Sequence, residues 1–199
     1  RRLWDQAFHW GSLAATRSQG LVLGALVQGI TVADGRFAGG TFDWLTPFSF
    51  VVAWSLVWGY VLLGATWLII KTEGGLLAWA RRVAALTGLL VLVMMGVVSA
   101  WVLFLDAPPA ARWGLELPVP NWDRLLPLVP IPVLVAVCFG GLFVALRRGA
   151  THAPYLWSVA LFLLGYVGLL VGIWPHLVPY ALTIHDAAAR GFARGVDDY

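Results

Sequence analysis

Four stretches of this chain run for twenty residues or more without a charged side chain, at 48–70, 83–105, 125–146 and 155–174. Little else constrains a fold so tightly. A helix that crosses ~30 Å of hydrocarbon needs ~20 mainly apolar residues, and each stretch supplies them. Strands of a membrane barrel alternate apolar and polar residues. These runs are apolar throughout, so helices are expected. A fifth, weaker run covers residues 8–32 and is interrupted by Thr16-Arg17-Ser18-Gln19. Residues 21–30 alone are too short to span and no turn signal divides the run, so it reads as one helix. The expected fold is all-α, a polytopic membrane bundle of about five transmembrane helices, with residues 1–199 forming a single membrane domain.

Composition excludes the main alternative. Charged residues make up 12% of the chain, against ~25% in soluble domains. Too few polar side chains remain to coat a soluble core. The isoelectric point near 9.4 does not indicate nucleic acid, because the basic residues sit between apolar runs and form no patch with exposed aromatics. The single cysteine, Cys138, lies inside an apolar run and has no partner for a disulfide within the chain.

The segments between the runs carry the turn residues and the charge. Residues 31–44 are glycine-rich, 71–82 are short and charged, 106–124 hold Pro108, Pro109, Pro118 and Pro120, and 147–153 form a tight basic turn. Trp44, Trp67, Trp79, Trp101, Trp122, Trp157 and Trp174 gather near span ends, where an amphipathic ring prefers the headgroup level. One set of ends and loops holds Arg1, Arg2, Lys71, Arg81, Arg82, Arg147 and Arg148; the other holds Arg36, Arg112 and Arg124, with Arg190 and Arg194 in the tail. The Lys/Arg bias assigns the first set to the cytoplasm. The opening Arg1-Arg2-Leu3, and a further helix that starts from about 184 with Thr183 and Asp186 as its capping signal, lead us to expect a chain cut short at both ends.

No catalytic motif emerges. His9, His152, His176 and His185 are scattered, with no i,i+4 pair and no cysteine or carboxylate at metal-ligand spacing. Met94 and Met95 lie in an otherwise apolar helix and read as packing residues. Arg17 is the side chain most in need of a partner. Near the middle of a span an arginine costs about 2.5–3.5 kcal/mol on insertion scales, so it is expected to face a protein interior or a water-filled cavity. Thr16, Ser18 and Gln19 adjoin it, and Arg17, Leu21, Gly24 and Gln28 share one helix face. Gly20 and Gly24 make a GxxxG spacing, which permits close helix approach. Such a face suits an ion or quinone pathway, a contact with a partner subunit, or a structural hydrogen bond between helices. It also suits an arginine that snorkels to the interface. Pro127, Pro130 and Pro132 crowd the start of the fourth run, where they either bend a structural helix or break one that lines a transporter-like site.

Several strings are more specific than periodicity. They are Gly40-Thr41-Phe42-Asp43-Trp44-Leu45-Thr46-Pro47-Phe48, Gly64-Ala65-Thr66-Trp67-Leu68-Ile69-Ile70-Lys71-Thr72-Glu73-Gly74 and Gly24-Ala25-Leu26-Val27-Gln28-Gly29. Trp4-Asp5 and Gly11-Ser12 precede them, and Pro175, Pro179 and Leu182-Thr183-Ile184-His185-Asp186-Ala187-Ala188 follow. In this order and spacing the chain resembles subunit II of the cytochrome bd-type quinol oxidases, most closely the cyanide-insensitive branch.

The resemblance implies a haem-free, nine-helix subunit built as two four-helix groups plus a peripheral helix. This chain would cover the fourth to eighth spans and the start of the ninth. The implied partner is subunit I, which carries the haems (haems b and a d-type site) and the quinol site. The complex oxidises quinol from the quinone pool and reduces dioxygen to water as part of the respiratory chain. It takes protons from the cytoplasmic side. The implied location is the prokaryotic cytoplasmic membrane, with loops 71–82 and 147–152 cytoplasmic. No cofactor is expected on this chain, and no nucleic acid partner.

The family's proton-path residues lie in early spans and have no counterparts here. The matched strings contribute Asp43, Lys71, Glu73 and Asp186 at helix ends; with Arg17, Gln19 and Gln28 these are the candidate polar interior or subunit-contact residues. Lys71 and Glu73 could pair across the turn, and Asp186 suits a helix N-terminus. The sequence departs from the family's Trp-Asp-Ala at His185-Asp186-Ala187. The competing reading from residues alone is a fragment of a secondary transporter or permease with a polar site at Arg17. A third is a purely structural membrane scaffold.

Overall fold

In hydrocarbon a backbone must satisfy its own hydrogen bonds, and the apolar runs do so as helices. The structure is a computed structural model that describes residues 2–29, 32–33, 36–102, 129–173, 176–178 and 182–183. Its helices are α1 (Arg2–Gln28), α2 (Pro47–Lys71), α3 (Gly74–Val102), α4 (Pro130–Arg147) and α5 (Ala153–Ile173). Among the described residues, α2, α3, α4 and α5 are long and apolar enough to cross a membrane. The fold is a polytopic helical bundle. Two short antiparallel ribbons join it: β1 (Val32–Ala33) with β2 (Arg36–Phe37), and β3 (His176–Val178) with β4 (Leu182–Thr183).

The helix ends differ from the sequence expectation for identifiable reasons. α1 stops at Gln28 rather than near 32, because Gly29 takes φ +95° and its N–H bonds back to the Ala25 carbonyl at 3.1 Å. α2 opens with a capping box. The Thr46 hydroxyl accepts from the Ser49 N–H at 3.0 Å, Ser49 Oγ accepts from the Thr46 N–H at 3.0 Å, and Pro47 occupies the first turn. α3 starts at Gly74, well before residue 83, so Thr72 and Glu73 alone separate it from α2. The charges of Arg81 and Arg82 had marked this segment as a loop. The Leu76–Ala80 stretch favours helix, and two arginines are tolerated on a helix that extends past the hydrocarbon. Pro130 and Pro132 stand at the beginning of α4, where a missing N–H costs no intrahelical bond, and the helix runs unbroken to Arg147. Residues 103–128, Trp174 and the helix expected from about 184 lie outside the described residues.

Lipid tails are as apolar as leucine, so helices associate through close packing and polar contacts rather than hydrophobic expulsion. α2 is the hub. Gly20 and Gly24 of α1 are buried against Ala53 and Ser49 of α2, so closely that an added Cβ would strike the α2 backbone at both places. This is the close approach that the GxxxG spacing permits. On its other faces α2 forms a hairpin with α3, closed at the far end by an edge contact of Phe48 with Trp101 at 6.1 Å. It also meets α5 where Thr66 and Ser158, both fully buried, share a hydrogen bond of 2.9 Å. α4 joins α3 through Leu142 against Gly88, and joins α5 where Trp157 lies over Gly141. Leu62, Ile69, Ala80, Ala84, Phe139 and Leu142 form the core of this four-helix group. α1 stands outside it, with Gly20 and Gly24 as its buried residues and Trp4 and Phe8 each 81% exposed.

Gly20→Leu or Gly24→Leu is expected to separate α1 from α2 and to cost about 1–3 kcal/mol or more through overpacking. Thermal unfolding in detergent measures it. Gly11→Ala serves as the control, since nothing lies within 4 Å of the position where its Cβ would stand.

Candidate functional site

Polar side chains inside an apolar bundle are costly unless they find partners, so their positions are informative. The structure gathers them into two seams and one end.

The first seam runs from the outer flank of α1 to the four-helix group. Tyr60 Oη of α2 donates to Gln19 Oε1 at 3.2 Å, and Gln19 Nε2 donates to Tyr166 Oη of α5 at 3.3 Å. Phe162 lies between the two phenols, 5.1 Å from the Tyr60 ring and 5.8 Å from the Tyr166 ring. Gln19 thus ties three helices together. The sequence marked Gln19 but not its partners, because a lone tyrosine in an apolar run looks like any other aromatic. A signal did exist: a glutamine in a helix of an apolar bundle carries a donor and an acceptor that both need partners. On the opposite flank the Arg17 guanidinium lies over the Trp54 ring, 4.6 Å from its centroid. Arg17 is exposed in this chain. The Gly20–Gly24 contact turns the arginine to the edge of the α1–α2 interface.

The second seam closes the α1–α2 connection. Thr46 Oγ1 donates to Gln28 Oε1 at 2.5 Å, so the last residue of α1 holds the cap of α2. Nearby, Asp43 Oδ2 accepts the Gly40 N–H at 2.6 Å and the Trp44 indole N–H donates to the Thr41 carbonyl at 2.7 Å. Asp43 is therefore a loop-shaping carboxylate, and the Gly40–Phe48 string encodes a turn and a helix start.

The basic end brings together the α2–α3 and α4–α5 turns. Arg81 Nη2 donates to the Gly149 carbonyl at 2.5 Å. Gly149 adopts φ +72°, and an added Cβ there would stand 2.9 Å from Arg81 Nη1, so both its conformation and its neighbour favour glycine. Sequence reasoning had counted Arg81 only as charge; its role as a clasp between hairpins needed the fold. Lys71 and Glu73 do not pair. The Lys71 ammonium lies 5.1 Å from the centroid of the Trp67 ring instead, beside the contact of Trp67 with Tyr155. A small cavity of about 260 Å³ opens here, lined by Lys71, Thr72, Glu73 and Thr151. Asp186 lies outside the described residues.

A haem would need an axial His or Met aimed into a cleft. His9 and His152 are exposed, and Met94 and Met95 are half-buried along α3. Among the described residues no three His, Cys, Asp or Glu side chains converge on a metal position. The described residues do not fit a haem site.

These features define an integral membrane protein, a helical bundle whose polar groups tie helix to helix. Residues 1–193 match the family of cytochrome bd terminal oxidase subunit II, and the chain belongs to that family. A comparison with curated proteins gave no match. Membership makes the chain part of a respiratory quinol oxidase complex and implies a partner subunit and haem in that complex.

Gln19→Leu is expected to cost about 0.6 kcal/mol, and at most about 1.7, the range for interhelical hydrogen bonds in membranes. Combined with Tyr60→Phe the loss should be less than the sum of the two, as a double-mutant cycle of unfolding in mixed micelles would measure.

Proposed function

We propose that this chain is the haem-free subunit II of a cytochrome bd-type quinol:oxygen oxidoreductase, and that it supports a haem-bearing subunit I in quinol oxidation and reduction of dioxygen to water. The family match over residues 1–193 carries this reading. The architecture agrees with it. A complete four-helix group, α2–α5, with a single helix outside it is the arrangement expected if α1 is the fourth span of a nine-helix subunit and α2–α5 are the fifth to eighth. In this reading α1 crosses the membrane as well, antiparallel to α2, and residues 1–199 are one membrane domain.

The chain's contribution is structural. Its helices present broad apolar faces for lipid and for neighbouring helices, while Gln19, Thr66, Ser158 and Arg81 fix the helices against one another. Haem supplies the electron-transfer and oxygen chemistry in subunit I, and quinol is the substrate of the complex. The permease alternative draws no support from Arg17, which rests on the Trp54 ring at the edge of the α1–α2 interface. The concentration of Lys71, Arg81, Arg82, Arg147 and Arg148 at one end of the bundle supports a cytoplasmic assignment of that end, in a prokaryotic cytoplasmic membrane.

Two measurements test this. The full-length parent, co-expressed with its genomic neighbour and purified in detergent, should carry haem bands in a reduced-minus-oxidised spectrum. The same parent expressed alone should carry none. A preparation with no haem-bearing partner sinks the oxidase reading; haem bands on the lone subunit sink the haem-free part of it. Separately, a Thr151→Cys reporter should resist a membrane-impermeant thiol reagent in intact spheroplasts and react once the membrane is opened. Labelling of intact cells would reverse the orientation.

A further inference from the structure

The sides of α3 that meet other helices are built largely from small residues: Ala80, Ala84, Thr87 and Gly88 are buried there. Its outer side differs. Trp79, Arg82, Leu86, Leu90, Val93 and Val97 recur at three- and four-residue steps and so form one stripe. None of them is small, and Leu86 is 64% exposed. Helix interfaces in membranes are enriched in small residues that let backbones approach, so a stripe of this make-up suits lipid better than another helix. Along it a groove of about 300 Å³ opens between α2 and α3, lined by Trp58, Val83, Leu86, Thr87 and Leu90. The Thr87 hydroxyl donates to the Val83 carbonyl at 2.8 Å, so it adds no free polar group to these apolar walls. The groove ends beside a charge. Val83 follows Arg82, and the charge-free run of α3 begins there. The Cα–Cβ bonds of a helix tilt toward its N-terminus, which carries the Arg82 side chain away from Leu86 and toward the basic end. Arg82 and Trp79 are exposed, and among the described residues neither the guanidinium nor the indole N–H has a partner. Glu73 is the one acidic residue in the two turns at this end, against Lys71, Arg81, Arg82, Arg147 and Arg148.

We propose that this side of the α2–α3 hairpin holds a phospholipid with a net negative headgroup, one acyl chain lying in the groove and the phosphate accepting from Arg82. The guanidinium fork matches two phosphate oxygens. Trp79, one turn further out, sits where an indole ring prefers the headgroup level. Charge complementarity selects the headgroup, because a zwitterionic lipid would bring an ammonium to an end already rich in cations. The groove gives the chain contacts with two helices at once, which a flat helix face does not. The site rests on α3 as a membrane helix and is independent of the redox reading.

The test uses the full-length subunit, purified with its partner and reconstituted in phosphatidylcholine nanodiscs. Each sample contains a trace of either phosphatidylglycerol or phosphatidylcholine with a photoactivatable diazirine in its acyl chain, and labelled peptides are mapped by mass spectrometry. The phosphatidylglycerol probe is expected to label Trp58 or residues 83–90 about fivefold more than the phosphatidylcholine probe, the preference one basic residue gives near a membrane surface. Arg82→Gln should remove the excess and Arg82→Lys should keep most of it. Arg147→Gln removes the same charge from an exposed residue of α4, which packs on the Gly88 side of α3, and should leave the excess unchanged. Equal labelling by the two probes, an excess that survives Arg82→Gln, or a loss that Arg147→Gln reproduces overturns the proposal. A second readout replaces the exposed Leu86 with the photo-crosslinking residue p-benzoylphenylalanine. Adducts with phospholipid are expected; adducts with the partner subunit mean that protein covers the groove, and they overturn the proposal as well.

Discussion

The contact of Gly20 and Gly24 with Ala53 and Ser49 governs much of what surrounds it. Two helices in lipid gain little from sharing apolar side chains, so the approach of backbones must supply the attraction. Removing Cβ atoms at two positions one turn apart lets α1 lie directly on α2. That placement brings Gln28 within reach of Thr46, swings Gln19 toward Tyr60 and Tyr166, and leaves Arg17 on the opposite edge over Trp54. A one-residue slip would lose all of these pairings together.

The polar groups act as register pins, and each is matched to its surroundings. Thr66 and Ser158 are fully buried; one hydroxyl donates to the other, and the accepting hydroxyl donates in turn to a carbonyl of its own helix. Gln19 is more exposed and spreads its amide over two phenols. Arg81 uses the open ring of a glycine turn, where a carbonyl is free to accept. In each case a hydrogen bond specifies which neighbour a helix takes, while small residues set how closely it packs. In the described residues, polar pairs and small residues together fix the apolar helices against one another.

Membership in the cytochrome bd terminal oxidase subunit II family gives this packing a context, since the family works as part of a membrane complex. The described residues assemble no haem or metal ligand set, and the strings that carry the resemblance hold turn and cap chemistry: Asp43 shapes a loop, Thr46 starts α2, and Lys71 covers Trp67. The four-helix group has a filled core, whereas α1 is bare around most of its circumference. A surface so uneven is suited to assembly, with α1 as the element awaiting neighbours.

Apolar run length by itself determined that α2, α3, α4 and α5 are membrane helices, because hydrocarbon thickness and backbone hydrogen bonding leave no other solution for charge-free stretches of that size. The GxxxG spacing announced a close contact on α1, and the motif strings pointed to the family. The sequence could not say which helix Gly20 meets, since any backbone of matching shape would serve. It misplaced the start of α3, because Arg81 and Arg82 look like a loop until the helix is seen to carry them out to the basic end. Tertiary structure alone decided that Tyr60 and Tyr166 answer Gln19, that Arg81 reaches Gly149, and that Arg17 lies on Trp54 at an edge. Each of these depends on the rotation of one helix about its axis relative to another, and that angle is set by packing between residues far apart in the chain.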